Sequence, residues 1–337
     1  MLRTTTIASA ALALMTLCGN AQPDALRVVT TVTDLAALTR AVGGDQVEAT
    51  SLVRGPQDPH YVDPRPSFVR KLHDADLYVE MGMDLEAAWA PVLLRSARNP
   101  KILPSGRGYL NASTAIRPLA VPTAPVDRSM GDIHVYGNPH YLVDPLNGLR
   151  VAAAIRDKLS QLRPAAAEAF RAGYAGFEER LLRRLVGPEL AGSRPAGELV
   201  ALLERGTLSA QPGGWLGRAW AIRGTPAVED HQAWVYFAHR FGLELVATLE
   251  PRPGIAPTTR HLQEVVRIVE AEQAKLILAS PYFDPRHARW VEERTGARTA
   301  PMANQVDSRE GTQSYLETIE YNVRSIVDAY SGRGAAP

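Results

Sequence analysis

Cysteine is nearly absent: Cys18 is the only one in 337 residues. That excludes an internal disulfide framework and every cysteine-based zinc motif. An excess of either charge is also missing, with 37 Lys plus Arg against 36 Asp plus Glu, and no basic block is longer than two residues. The electrostatic footprint of nucleic-acid or anionic-membrane binding is therefore lacking. After the first twenty residues no stretch has the roughly 18 uninterrupted apolar residues of a membrane span. The devices of common enzymes are missing too: no Walker A loop, no GxGxxG opening a helix, no GxSxG elbow and no HExxH.

At the N-terminus, Arg3 precedes the apolar run Ile7 to Leu17. That run has the length of a signal-peptide core and is too short to span a bilayer. Residues 1–21 are expected to be an export signal, with Gly19 and Ala21 as the small residues before cleavage. The alternative is acylation of Cys18, against which the large Leu17 stands. Either way the expected setting is periplasmic. If Cys18 leaves with the signal, the mature chain has no thiol, and any metal must be held by nitrogen and oxygen.

The remaining sequence alternates short strands and helices. Leu26 to Val32 is β-branched and leads through Thr33-Asp34 into apolar-periodic Leu35 to Val42; Gln46 to Val53 is a second strand. Ser67 is expected to cap Phe68 to Asp74, Leu77 to Met81 to form a strand, and Leu85 to Ala97 a helix. Residues 104–132, rich in Pro, Gly, Ser and Thr, read as a long surface connection. Helices are expected over Gly148 to Gln161 and Ala165 to Val186, the second ended by Gly187-Pro188. The alternation then resumes with strands at Glu198 to Leu203, Pro226 to Val228, Leu243 to Thr248 and Lys275 to Leu278. Helices are expected near Gln232 to Phe241, and over Thr258 to Glu272, Pro285 to Thr295 and Ser314 to Tyr330. The fold class is α/β: two lobes, 26–163 and 188–330, each a mostly parallel sheet flanked by helices, joined by a rigid linking helix over 164–187.

The chemistry lies in a near-duplicate, Asp58-Pro-His60-Tyr-Val-Asp63-Pro and Asn138-Pro-His140-Tyr-Leu-Val-Asp144-Pro. Each places a histidine in a Pro-bounded loop after an expected strand, where open α/β sheets bind ligands. His231, after Pro226 to Val228, has a similar setting. Three imidazoles on separate loops suit a zinc-type ion better than Mg²⁺ or Ca²⁺. His73, His239, His261 and His287 sit on helical patterns beside Arg or Asp and are expected to be solvated. His134 is expected to be structural or to support a ligand. Asp58, Asp63 and Asp144 read as caps or turn formers, and Asp63 or Asp144 as a possible acceptor from a ligand histidine. Tyr61, Tyr141, Trp234 and Tyr236 are expected to pack around the site.

Three segments, "DPHYVDPRPSFVRKLHDADLYVEMGMDLEAAW", "GDIHVYGNPHYLVDPLNG" and "VEDHQAWVYFAHRFGLE", together resemble the zinc- and manganese-type solute-binding proteins of bacterial ABC importers. The resemblance runs over nearly the whole mature chain. It implies two α/β lobes joined by a long helix, with the metal between them on His60, His140 and His231. The family's usual fourth ligand is a carboxylate after the "TGA" segment, here Thr295-Gly296-Ala297. The stretch from Thr299 to Val306 has none, which makes Asp307 the expected fourth ligand, with His134, Glu229 or a water as alternatives. Ser280 stands where relatives often carry Glu, and the long His-rich loop of zinc members is absent. The function so implied is capture of Zn²⁺ by an exported monomer and its delivery to a membrane ABC permease. Mn²⁺ is the alternative cargo, and a zinc hydrolase using three His and a water, with Glu229 or Asp230 as base, the alternative class.

Overall fold

The computed structural model describes residues 24–124, 134–208, 211–252 and 254–333. The expected export signal and Cys18 lie outside the described residues. Among those described, no helix is long and apolar enough to cross a membrane.

Among the described residues, eight strands form two sheets. The first contains β1 (Leu26–Thr30), β2 (Val47–Ser51), β3 (Leu77–Glu80) and β4 (Tyr109–Asn111) in the order β2-β1-β3-β4. The second contains β5 (Pro226–Glu229), β6 (Glu244–Thr248), β7 (Leu276–Ala279) and β8 (Arg298–Pro301) in the equivalent order β6-β5-β7-β8. Every pairing is parallel. In both sheets the first strand is central and the chain reverses its direction of travel there, so the loops at the carboxyl ends of the central strands open a crevice.

Alternation along each strand sends side chains to opposite faces. Val28, Leu77 and Val79 of the first sheet and Ala227, Leu276 and Leu278 of the second belong to one continuous core. Val29 and Tyr78 face a separate cluster, as do Val228 and Ile277. The sheets thus share a common interior, and each has its own outer layer of helices. The Ala167–Val186 helix runs through that interior; 20 residues at 1.5 Å give it a length of about 30 Å. It packs on the Thr33–Gly43 and Pro145–Leu162 helices from the first half, and on the Pro188–Gly192 and Gly214–Arg218 helices from the second. Phe170, Phe177, Leu181, Leu182, Leu185 and Val186 are its buried face. Such a rod, in contact with both halves, leaves little room for wide hinge motion.

Four expectations are corrected. Glu198 to Leu203 is not a strand but part of the Ala196–Arg205 helix, in which Leu199 and Leu203 are four residues apart and buried. The helix expected from Leu85 begins only at Ala90, because Pro91 in its first turn fixes the start and residues 83–89 are turns. Ser67 does not cap: the helix runs Pro66–His73 with Arg65 at the cap position and proline opening the first turn. β4, within the expected surface connection, and β8 gave no strong apolar run; they are strands because they complete a sheet edge. Residues 125–132 of that connection lie outside the described residues.

Gly173 explains how closely the long helix approaches its neighbour, since a Cβ there would overlap the Val42 carbonyl. Gly197, in the first turn of the Ala196–Arg205 helix, has nothing nearby. Gly173→Ala is expected to destabilise by about 1–3 kcal/mol through overpacking, whereas Gly197→Ala should stabilise by about 0.4–1 kcal/mol by restricting the unfolded chain. Denaturant unfolding of the two variants checks the opposite signs.

Candidate metal centre

The two Asx-Pro-His segments fold alike. At the first, the Asp58 carboxylate accepts the His60 backbone N–H at 2.9 Å; at the second, the Asn138 amide oxygen accepts the His140 N–H at 2.9 Å. Proline fixes φ between the two, so the two turns hold their histidines in the same local geometry, each in a loop well beyond the preceding strand. Asn138 is itself anchored: its amide donates to the Gln232 carbonyl, and the Tyr236 hydroxyl donates to the Asn138 carbonyl at 3.0 Å. His231 follows β5, with its backbone N–H on Asp230 at 2.8 Å.

These turns bring three rings together. Centroids of His60, His140 and His231 lie 5.2 to 5.5 Å apart. One nitrogen from each lies within 4.8 Å of the others, the only such group of potential metal ligands among the described residues. A tetrahedral zinc site with bonds of 2.0–2.1 Å needs nitrogens about 3.3 Å apart, a modest contraction from this arrangement.

Carboxylates orient two of the rings. His60 Nδ1 meets Asp58 at 2.7 Å and His231 Nδ1 meets Glu250 at 2.7 Å. With the proton on Nδ1, each Nε2 is left as a bare acceptor, the tautomer a metal requires. Glu250 is fixed in turn by the Gly254 N–H at 3.0 Å, and Phe283 stacks on His231 at 5.2 Å. His140 Nε2 is buried with no hydrogen-bond partner, an arrangement that proteins otherwise avoid. Burial, aided by the neighbouring rings, drives the His140 pKa well below its ordinary value. At His231 burial pushes the same way, but the hydrogen bond and charge of Glu250 outweigh it and raise the pKa above the usual 6.5.

His134 also reaches this group: its Nε2 is 3.1 Å from His60 Nε2, and its ring bonds the Met83 backbone. Desolvation and the charge of His60 lower its pKa to about 3, so it is neutral at physiological pH. His134 thus touches one of the three rings, while the group of mutually close ligand nitrogens is formed by His60, His140 and His231.

Asp307, the expected fourth ligand, is not brought to the cluster. It is exposed, in the left-handed region at φ 60°, on a depression it shares with Arg40 and Arg54. The preceding residues fix this direction: Val306 donates its N–H to Asp34 at 2.8 Å and accepts from Thr33 Oγ1 at 2.7 Å. Ala303 is held by both ends of the Asn322 amide, and the next two residues, Asn304 and Gln305, line a small cavity together with His140. Glu229 is not in the cluster either: its carboxylate accepts the Trp234 N–H at 3.0 Å, and burial raises its pKa to about 8. Asp230 is taken up by His231 N–H and by the backbone and hydroxyl of Ser280.

The acceptors expected for the ligand rings are also reassigned. Asp63 is exposed, and Asp144 caps the Pro145–Leu162 helix while forming a buried two-pronged pair with Arg240. Asp58 and Glu250 do that work instead. Glu250 gave no sequence signal, being 19 residues from its histidine. Of the aromatics, Tyr141, Trp234 and Tyr236 are buried around the site, but Tyr61 is 59% exposed. His73 and His239 are exposed, whereas His261 is half-buried on the Thr248 carbonyl.

The family model described as ZnuA, zinc-uptake complex component A, periplasmic, matches residues 28–184 and 217–329. The zinc-binding lipoprotein AdcA of Streptococcus pneumoniae serotype 4 is 22% identical over 329 residues, covering 92% of this chain and 57% of AdcA. This chain therefore spans little more than half of that relative. The high-affinity zinc uptake system protein ZnuA of Yersinia pestis is 22% identical over 292 residues, covering 82% of this chain and 81% of that protein. The manganese ABC transporter substrate-binding lipoprotein PsaA of Streptococcus pneumoniae is 29% identical over 161 residues, 47% of this chain and 48% of PsaA. Among solved structures, a crystal structure of ZnuA superposes with a TM-score of 0.68 at 19% identity, over 91% of this chain and 100% of that one. A cadmium-bound periplasmic metal binding protein from Candidatus Liberibacter asiaticus gives 0.67 at 18%, over 90% and 98%. These superpositions speak for the fold, two parallel sheets flanked by helices. The family match, over far more than half of the sequence, identifies the chain as a member of the ZnuA family.

Proposed function

We propose that this protein is an exported metal-binding component that captures Zn²⁺ at His60, His140 and His231, with His134 as the fourth ligand, and passes it to an ABC-type permease in the membrane. The observation that carries this reading is the convergence of three imidazole nitrogens from loops of both halves of the chain. The choice of His134 rests on its 3.1 Å approach to His60. With the other nitrogen of each ring engaged, two bare lone pairs face one another there, which is unfavourable unless a cation lies between them. Their separation already matches the edge of a tetrahedral zinc site. The domain division expected from sequence, lobes over 26–163 and 188–330 around a 164–187 link, accords with two sheets flanking one rod.

Four nitrogen donors and no carboxylate favour Zn²⁺ over Mn²⁺, which prefers oxygen. The hydrolase alternative finds no support, because Glu229 and Asp230, its candidate bases, are both turned onto backbone N–H groups. A site filled by four side chains binds without a vacant position for chemistry.

Calorimetric titration of the metal-stripped chain tests the reading. One Zn²⁺ per chain is expected, with Mn²⁺ a weak competitor. Losing a partner that only orients a ligand costs about 10–100-fold in affinity, so His60→Ala, His140→Ala and His231→Ala should each cost more than that. His134→Ala should weaken binding measurably and Asp307→Ala should leave it unchanged. Wild-type affinity in the first three variants would refute the assignment.

The pH dependence follows from His231. Its Nε2 must be unprotonated to bind metal, and Glu250 raises its pKa above 6.5, so affinity should start to fall above pH 6.5 as the pH drops through that raised value. His140 and His134, both lowered, add no proton competition in that range. Glu250→Gln should shift the onset to lower pH and, by freeing the ring, weaken zinc binding at pH 8 about 10–100-fold. Zinc titrations between pH 5.5 and 8 read both effects.

A further inference from the structure

A cavity of ≈ 780 Å³ opens at the carboxyl ends of β3 and β4, with Met83, whose backbone bonds His134, among its lining residues. It falls within the range of small-molecule sites, about 300–1,000 Å³, and the metal reading leaves it unused. Its wall is largely apolar, with Ala90, Leu94, Leu103 and Ile116 among the lining residues. Two carboxylates, Glu80 and Asp84, face it together with a single cation, the exposed Arg95. Among the described residues no Lys or Arg pairs with either carboxylate.

The backbone beside the cavity is unusual. Gly82, Met83 and Asp84 have φ of 78°, 51° and 65°, three consecutive residues in the left-handed region, two of them not glycine. Such strain persists only where the surroundings impose it, and it collects at ligand clamps. Here it sets Asp84 at the rim, while Glu86 folds back to accept the Met81 and Gly82 N–H groups at 2.8 and 3.1 Å. Burial raises the Glu86 pKa to about 8, so this third carboxyl is largely uncharged at neutral pH. Burial also raises the pKa of Glu80 and of Asp84, but at Glu80 the hydroxyl donated by Tyr109 opposes that shift, and an ammonium group placed between the two carboxylates would favour their charged forms further.

We infer that this cavity is a second binding site, for a small organic cation: a protonated amine held by Glu80 and Asp84, with an aromatic or alkyl body against the Leu94, Leu103 and Ile116 wall. An anion is disfavoured, since only Arg95 would receive it and two carboxylates would oppose it. A neutral apolar molecule would leave both carboxylates unpaired beside it, at a cost in desolvation. The inference stands apart from the assignment of the metal ligands, because none of the four histidines lines the cavity.

The test is calorimetric titration of the metal-free full chain with phenethylamine, with phenylacetate as a control of similar body and opposite charge. Absence of metal prevents the amine from binding through zinc. Saturable one-to-one binding of phenethylamine is expected, with phenylacetate at least tenfold weaker. Glu80→Gln should weaken the amine at least tenfold, because it removes the charge but keeps the shape. Ala87→Trp, which fills the cavity from its exposed rim, should abolish binding. Unchanged zinc stoichiometry and thermal midpoint in both variants show that they are folded. Failure of phenethylamine to bind, equal binding of phenylacetate, or undiminished binding in both variants would overturn the proposal, and none of these results bears on where zinc binds.

Discussion

The structure depends on an unfavourable juxtaposition: imidazole nitrogens with their lone pairs turned toward a common point in a space nearly closed to water. His60 and His231 are held in that state by Asp58 and Glu250, which accept hydrogen bonds from the protonated opposite nitrogen. His140 has an orphaned nitrogen, and His134 presses its own against His60. The three nitrogens of His60, His140 and His231, all within 4.8 Å of one another, make an arrangement suited to a borderline cation. The rest of the fold supplies the rigidity that keeps the rings from relaxing apart.

That rigidity comes from contacts between the halves as much as from the linking helix. Gln305 donates to the carbonyls of Gly55 and Gln57, both at 2.9 Å. Val306 is tied to Thr33 and Asp34, and Tyr236 accepts the Leu119 N–H while holding Asn138. Asp34 is buried deeply enough for its pKa to rise to about 7, desolvation outweighing the Val306 hydrogen bond. The same loop that latches the halves together turns Asp307 outward.

Much of this was legible in the sequence, for physical reasons that can be named. The Asx-Pro-His duplication announces itself because the turn chemistry is local: a side-chain acceptor two residues before the histidine and a proline between. The long helix and parallel strands follow from apolar periodicity. What stayed hidden depends on contacts distant in sequence. Glu250 serves His231 from the end of another strand, and β8 is a strand only because β7 offers it an edge. Asp307 is the nearest carboxylate in sequence, but the hydrogen bonds of Val306 decide where it points. The Glu198 to Leu203 segment misled because a short apolar run suits strand or helix until its neighbours fix the period.

X-ray absorption spectroscopy of the zinc-loaded protein tests the central claim most directly. The account predicts a first shell of four nitrogen scatterers at about 2.0–2.1 Å, with outer-shell multiple scattering from at least three, and with His134 bound four, imidazole rings. A spectrum with fewer than three imidazoles, or with a shell dominated by oxygen, would contradict it.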